Sequence, residues 1–389
     1  MPTRRGRDGF AVATVSLWRF VRSAKGLAAA FAVFGLYWGA WAACLPAIQR
    51  STGASEAQLG LALLCVALAA LPAMLAAGRL ADLFGARLVP LALVLFAAAS
   101  AFPGLTRSAP QLFAALAFVG VGTGVLDIAI NAQAASIEAT QRVRVMDGLH
   151  AAFSLGVLCG GVGAGLLRRA GGHPSWILGG VACVIALTAF FNLEQVTPPE
   201  PARRRARLVR PLLVVGVVLA VAFIVESGLE SWSALFLEHT LHSGPAISGL
   251  GPGLFAGAMA TGRLLAQRVE GPSVATRMLF AGIAAAAGAI VATTAQHALV
   301  ALAGFVIAGA GLALSAPTLF GAAGRLGGDG GRGSAVSTVG VLGYLGFLAG
   351  PALIGAVSGA SSLRGGFLFL CGVAVLLAAC APLLRESPG

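Results

Sequence analysis

The chain has 389 residues, 58% of them hydrophobic and only 10% charged, with a mean hydropathy of +0.90. Soluble domains carry about 25% charged residues, so a water-surrounded globule is excluded. Disorder, which requires low hydrophobicity, is excluded with it. The formal net charge of +12 reads as the loop arginines of a polytopic helical membrane protein, not a nucleic-acid surface, because no basic patch is interleaved with aromatics on a soluble element.

At the N-terminus, Arg4, Arg5 and Arg7 precede a short apolar run, and Arg19, Arg22 and Lys25 follow it. A signal peptide would continue into a small-residue cleavage site, so residues 1–26 are expected to be a basic cytoplasmic arm. Twelve apolar runs then follow, each long enough to cross ~30 Å of hydrocarbon: about 27–48, 58–78, 88–106, 111–137, 148–169, 175–193, 211–237, 247–267, 277–295, 298–320, 334–358 and 364–384. The stretch 194–210, EQVTPPEPARRRARLVR, splits them into two sets of six. Its three prolines forbid a continuous helix, and its arginines mark it as a cytoplasmic linker. The predicted domains are a six-helix bundle over 27–193 and another over 211–389 that ends in a short cytoplasmic tail.

With the N-terminus inside, 21 of the 26 Lys and Arg residues fall on the side of the termini and five on the other: Arg50, Arg107, Arg168, Arg169 and Arg364. This positive-inside bias predicts a multi-pass protein of the inner (plasma) membrane with both termini cytoplasmic. The halves also repeat. AFVGVGTGV (117–125) matches GFVIAGAGL (304–312) at an offset of 187, which also relates Gly163 to Gly350, and Gly78-Arg79-Leu80 recurs as Gly262-Arg263-Leu264. Weak internal symmetry of two membrane halves is a property of transporter folds. The six cysteines all fall in apolar runs without C-x-x-C spacing and read as small buried hydrophobes, with no disulfide framework or zinc site.

Between the second and third runs, Gly78-Arg79-Leu80-Ala81-Asp82-Leu83-Phe84-Gly85-Ala86-Arg87 resembles the G-x-L-a-D-r-x-G-r-R/K signature of the major facilitator superfamily. That resemblance implies an all-α membrane protein of twelve transmembrane helices in two pseudo-symmetric six-helix bundles (the major facilitator fold), which rock about a midplane site. It makes Gly78, Arg79, Asp82, Gly85 and Arg87 a cytoplasmic gate motif. The glycines permit a tight turn, and Asp82 latches that side by accepting hydrogen bonds from helix N-termini or pairing with a cation. The counterpart GRLLAQRVEG (262–271) lacks the Asp. The stretches LDIAINAQAASIE (126–138), HAAFSLG (150–156), ESGLESWSALFL (226–237) and VGVLGYLGFLAGPALIG (339–355) are similar to fucose-permease-like sugar symporters of bacterial inner membranes. The fourth-span Arg of many proton-driven members is absent, and so is the fifth-span glycine-proline signature of drug/proton antiporters. A Gly350-Pro351 pair stands in span eleven instead.

Ionisable groups at bilayer depth are costly and usually functional. Asp127 falls near the middle of span four, with Asn131 one turn on and Glu138 near the cytoplasmic end; Glu226 and Glu230 share a face of span seven, followed by Trp232. No Lys or Arg occupies the middle of a predicted span, so Asp127 and Glu226 are expected to lack a buried cation. Such a carboxylate is stable at low dielectric only when protonated or when a bound cation compensates it. Asp127, Glu226 and Glu230 are therefore the proton-coupling candidates, and an anionic substrate, which wants a fixed cation, is disfavoured. A polar helix–helix contact is the competing reading for Asp127 and Asn131, and an outer vestibule for Glu226 and Glu230. Asn131, Tyr37, Trp38, Trp41, Trp232 and Tyr344 are candidates for the substrate cavity, able to stack on a sugar face or a planar cation; an aromatic belt is the alternative for the tyrosines and for Trp38 and Trp41. Glu138 and His150 join the cytoplasmic gate.

No nucleophile–base set, metal-ligand spacing or phosphate-binding G-x-x-x-x-G-K-[ST] loop occurs, and Lys25 is the sole lysine. No enzyme activity, cofactor, metal or nucleic acid is expected. The expected partners are the lipid bilayer, a small-molecule substrate and protons, and the expected state is a monomer. The resulting expectation is a proton-coupled secondary transporter of a small neutral or cationic solute, sugar- or polyol-like by preference. A proton-antiporting exporter of drug-like compounds and a non-transporting membrane sensor or scaffold are the rivals.

Overall fold

A computed structural model describes residues 5–141, 145–192, 210–266 and 272–384. Within these, the side chains of 5–23, 328–334 and several single positions, Arg79, Asp82 and Asp147 among them, lie outside the description. The described residues form helices α1 (Arg5–Thr52), α2 (Glu56–Phe84), α3 (Leu88–Ala101), α4 (Ala109–Gln141), α5 (Met146–Arg169), α6 (Pro174–Phe190), α7 (Arg210–Leu235), α8 (Pro245–Ser248), α9 (Leu250–Ala266), α10 (Val274–Thr294), α11 (Ala298–Leu312), α12 (Ser315–Leu326), α13 (Gly328–Ala360) and α14 (Leu363–Cys380), with no strand among them. Helices are the expected outcome, since lipid offers backbone N–H and C=O groups no partner and each segment must satisfy its own.

Ten segments of the described residues are long and apolar enough to cross a membrane, one of them the joined α11–α12, Ala298–Leu326. α6 and α9, of 17 residues each, complete twelve crossings. Starts are set by local chemistry: the Ser273 and Ser362 hydroxyls accept from the N–H groups of Thr276 and Gly365, and Pro174 opens α6 behind His173. Several helices outlast the predicted runs. α1 begins at Arg5, so the segment read as an arm continues the first helix; α13 begins at Gly328 and α12 reaches Leu326. Glycine and arginine lower the local hydropathy without breaking a helix, so the helix extends past the apolar stretch. The linker predicted over 194–210 falls, except for Arg210, outside the described residues, as does the tail beyond Leu384.

Each half pairs its helices in the same way. α1 packs on α5, α2 on α4 and α3 on α6, and the second half repeats this with α7 on α13, α9 on α11 and α10 on α14. The repeat extends to single residues. A Cβ at Gly156 would strike the Ala32 carbonyl of α1, and one at Gly343 would strike Leu219 of α7; both members are displaced by the same 187 residues. Small residues at such crossings let helix backbones approach where lipid gives no hydrophobic drive.

The halves meet through α2 against α13 and α5 against α8–α9. Gly60 lies against Gly355, and Gly161 and Gly165 against Gly249. Chain direction places these contacts in the half of the bundle away from the termini, here called the far side. Every close glycine approach between the halves among the described residues lies there. Large apolar side chains such as Leu75, Trp176, Phe191 and Leu299 stand exposed on the outer surface, as a lipid-facing perimeter requires. Of the six cysteines only Cys44 is fully buried, and Cys159 and Cys183 are exposed. This corrects the buried reading, because an apolar run cannot distinguish core from lipid face.

Candidate functional site

Two polar clusters sit deep between the halves. The first is on α4, where Asp127 and Asn131 are one turn apart and both half-buried. Asn131 donates from Nδ2 to Asp127 Oδ1 at 3.0 Å and to the Asp127 carbonyl at 2.9 Å. The amide thus holds one carboxylate oxygen and is itself anchored on its own helix. Tyr344 of α13 is within electrostatic reach of Asp127, so this cluster bridges the two halves.

The second cluster gathers Glu226 and Glu230 of α7, Arg263 of α9 and His150 of α5. Arg263 Nη2 lies 3.5 Å from Glu226 Oε1, and Arg263 also acts electrostatically on Glu230 and His150. The sequence reading left Glu226 without a cation; the structure supplies one. The Arg263 side chain is long enough to carry its head a full turn from a backbone position assigned to the cytoplasmic end of its span. Satisfaction is incomplete, since Glu226 Oε2 and Arg263 Nε are buried without a hydrogen-bond partner. His150 presents its edge to Phe31 at 5.3 Å between centroids. It keeps exposed surface, while Glu230 is half-buried, so both border open space inside the protein.

The aromatic candidates divide. Tyr37, Trp41 and Trp232 are packed in the core, the Tyr37 hydroxyl and the Trp232 Nε1 without a partner. Tyr37 meets Trp38 and Phe96 edge-on at 5.3 and 5.0 Å. Trp38 and Tyr344 are half-buried, and Tyr344 stacks on Phe347. Burial rules out a lipid-facing belt for Tyr37 and Trp41.

Of the gate motif, Gly85 adopts φ 52° and turns the chain from α2 into α3, a conformation that favours glycine. Arg87 is exposed, and a Cβ at Gly78 would meet open space, so no helix presses on Gly78 in this state. The Arg79 and Asp82 side chains lie outside the described residues. Glu138 closes the turn between α4 and α5, where its Oε1 accepts the N–H groups of Val145 and Met146 at 2.7 and 2.9 Å. A carboxylate there caps the start of α5 and suits its positive dipole end.

A third cluster escaped the sequence reading. α7 ends in a π turn, Phe236–Thr240, which carries Glu238 to the far side. There its carboxylate accepts two bonds from Arg168 of α5, Nη2 to Oε1 and Nη1 to Oε2, both at 2.9 Å. Arg50 of α1 adds Nη1 to Oε1 at 2.7 Å, and the Ser248 hydroxyl donates to Oε2 at 3.0 Å. Arg168 Nη1 also donates to the Ala43 carbonyl at 2.6 Å. Arg50 and Arg168 belong to the first half, Glu238 and Ser248 to the second. The signal available in sequence was faint: Glu238 is one of two acids, with Glu56, placed on the side that holds only five arginines.

Comparisons with known proteins agree with this architecture. Residues 26–336 match the family model of the Major Facilitator Superfamily. An uncharacterized MFS-type transporter of Yersinia pestis is 32% identical over 348 residues, 87% of this chain and 89% of that protein. A bacterial homolog of the human lysosomal transporter Spinster, solved inward-facing and occupied, shares the fold at a TM-score of 0.72 and 17% identity, over 94% of this chain and 98% of that one. The nucleoside transporter NupG, solved as a point mutant, does so at 0.72 and 13%, over 94% and 100%. Twelve crossings, two halves repeated residue against residue and a family match across most of the length lead to one assignment: this multi-pass membrane protein belongs to the major facilitator superfamily of transporters.

Proposed function

We propose that the protein is a proton-coupled secondary transporter. It moves a small neutral or cationic solute, sugar- or polyol-like by preference, by alternating access of a site between its halves to the two sides of the inner membrane. It acts as a monomer with both termini cytoplasmic and uses protons as its coupling ion. The observation that carries this reading is the charge balance of the interior. Among the described residues, Glu226 and Glu230 share one guanidinium, Arg263, which is already engaged with Glu226, and Asp127 is held by the Asn131 amide rather than by a cation. An anionic solute would find no uncommitted cation among the described residues there, whereas a proton or a cation would relieve the imbalance. The likeness of 126–138, 150–156, 226–237 and 339–355 to fucose-permease-like symporters supports a sugar-like solute.

The test has two stages. Purified protein is screened by thermal shift against sugars, polyols and cationic drugs at two pH values, since a ligand that binds the folded state raises its stability. A hit is then followed in proteoliposomes by counterflow and by proton-driven uptake. Asp127→Asn, which imitates the protonated carboxyl, should retain exchange and lose accumulation against a gradient. Accumulation retained in both Asp127→Asn and Glu226→Gln removes these residues from coupling and leaves Glu230. The same carboxylate excess supports a second reading, export of a cationic drug-like compound by proton antiport. Solute flux opposite in direction to the imposed proton flux would identify it, and the absence of flux for every ligand that binds would favour a sensor or scaffold.

A further inference from the structure

The far-side cluster is bordered by two further titratable groups. The π turn that ends α7 carries His239 directly after Glu238, and the short loop behind it carries His242. His239 is half-buried and His242 exposed. Their segment is pinned: the N–H and hydroxyl of Ser243 donate to the Leu237 carbonyl at 3.0 and 2.7 Å, and the Leu241 N–H donates to that of Phe236. His242 has φ 53° and is the sole non-glycine residue at positive φ among the described residues, a conformation that an unconstrained loop avoids. We propose that these two histidines make the far-side contact between the halves a pH-operated switch, which protons arriving on that side release.

The charges are divided between the halves. The first half supplies Arg50 of α1 and Arg168 of α5, and the second supplies Glu238, whose carboxylate accepts from both. His239 is within electrostatic reach of Glu238, Arg50, Arg168 and His242, and it moves with Glu238, not with the arginines. The Cys44 thiol of α1 lies buried within reach of Arg168 and Glu238, and Ser248 contributes a hydroxyl. Arg364 of α14 stands over the Phe236 ring at 5.8 Å and donates to the Thr293 and Ala295 carbonyls, so its charge is turned into the second half.

With neutral imidazoles, a carboxylate faces two guanidinium groups and the halves attract. A proton on each histidine makes that face of the second half net positive, opposite two cations, and the halves repel. Separation has the converse effect on the protons. Arg50 and Arg168 withdraw, and the freed Glu238 carboxylate favours a charged imidazole beside it. Protons thus bind the separated form more tightly, and by reciprocity their binding drives separation. The switch needs no solute and makes no use of Asp127, Glu226 or Glu230, so its failure would leave the transport reading intact.

The test uses the full chain in detergent, spin-labelled near the far ends of α1 and α7, with distances measured between about pH 8 and about pH 5, where imidazoles change charge. In the wild type the ratio of separated to closed populations should rise about tenfold across this range. It should stay level in His239→Gln/His242→Asn, the second substitution chosen because Asn tolerates positive φ. His239→Lys carries the charge throughout and should already be about tenfold more open than the wild type at about pH 8. His297→Gln, which alters an exposed histidine at the cap of α11, is the control and should respond as the wild type does. A wild-type ratio that ignores pH overturns the switch. So does a full response in the double variant, which would place the titration on Glu238 or on the interior carboxylates. If the double variant does not fold, His239→Lys still decides: a population equal to that of the wild type at about pH 8 overturns the proposal. An equal loss of response in His297→Gln overturns it as well.

Discussion

Glu226 and Arg263 meet although their residue numbers differ by 37 and nothing in either helix's periodicity pairs them. The position of Glu226 on a polar face of α7 was legible, because an acid in an apolar run is conspicuous. Its partner was not, because the head of an arginine can lie several ångströms along the membrane normal from its own Cα. The pair is long, and each member keeps one unsatisfied polar atom. Removing one partner strands a buried charge, whereas removing both strands nothing. Arg263→Gln should therefore lower stability by about 1–3 kcal/mol, and Glu226→Gln/Arg263→Gln should recover most of that loss. Thermal unfolding of the three variants in detergent checks this, and an Arg263→Gln protein as stable as wild type would show that the pair contributes nothing in this state. Asp127 and Asn131 were easier to read, since both members lie on one helix at a spacing that sequence fixes.

At the scale of elements, the end of α7 holds the halves together on the far side. Hydropathy reads span seven as ending near residue 237; the helix instead widens into a π turn that directs Glu238 across to α5 and α1. A hydropathy profile has no access to such a turn. Hydrogen bonds to charged groups contribute about 1.5–3 kcal/mol each, and about 1.4 kcal/mol changes a two-state ratio tenfold. Glu238→Gln should therefore raise the population open on the far side by about tenfold or more. Spin labels near the far ends of α1 and α7 would report it as a new long-distance component, and an unchanged distance distribution would show that the glycine contacts alone keep this side shut. Element number and order were legible throughout, because twelve crossings follow from apolar length. Ends were less so: α1, α12 and α13 extend past their apolar runs, and span eight divides into α8 and α9 at Gly249.

For the whole molecule, the repeat seen faintly in sequence at an offset of 187 becomes a packing rule, with Gly156 on Ala32 and Gly343 on Leu219. Equivalent crossings within each half leave the contacts between halves as the natural place to yield, which is what a rocking motion needs. The proposed orientation in the membrane rests on charge alone, with 21 of 26 Lys and Arg residues on the side of the termini. A reporter enzyme active only outside the cytoplasm, fused after Arg205, should therefore be silent, and the same reporter fused after Arg107 should be active. The reverse pattern would invert every depth assigned to the carboxylates.

The far-side cluster has one more property, which concerns what each half retains when the two separate. Parting them breaks all three arginine–carboxylate bonds together, but Ser248 travels with Glu238, and the Ala43 carbonyl stays on the same half as Arg168. Neither of the two buried charges is then left without a partner of its own. A fastening of this kind is reversible by construction: each face carries a resting place for its own charged group, so the open form is a second well-satisfied arrangement, and closing again requires only that the groups change partners.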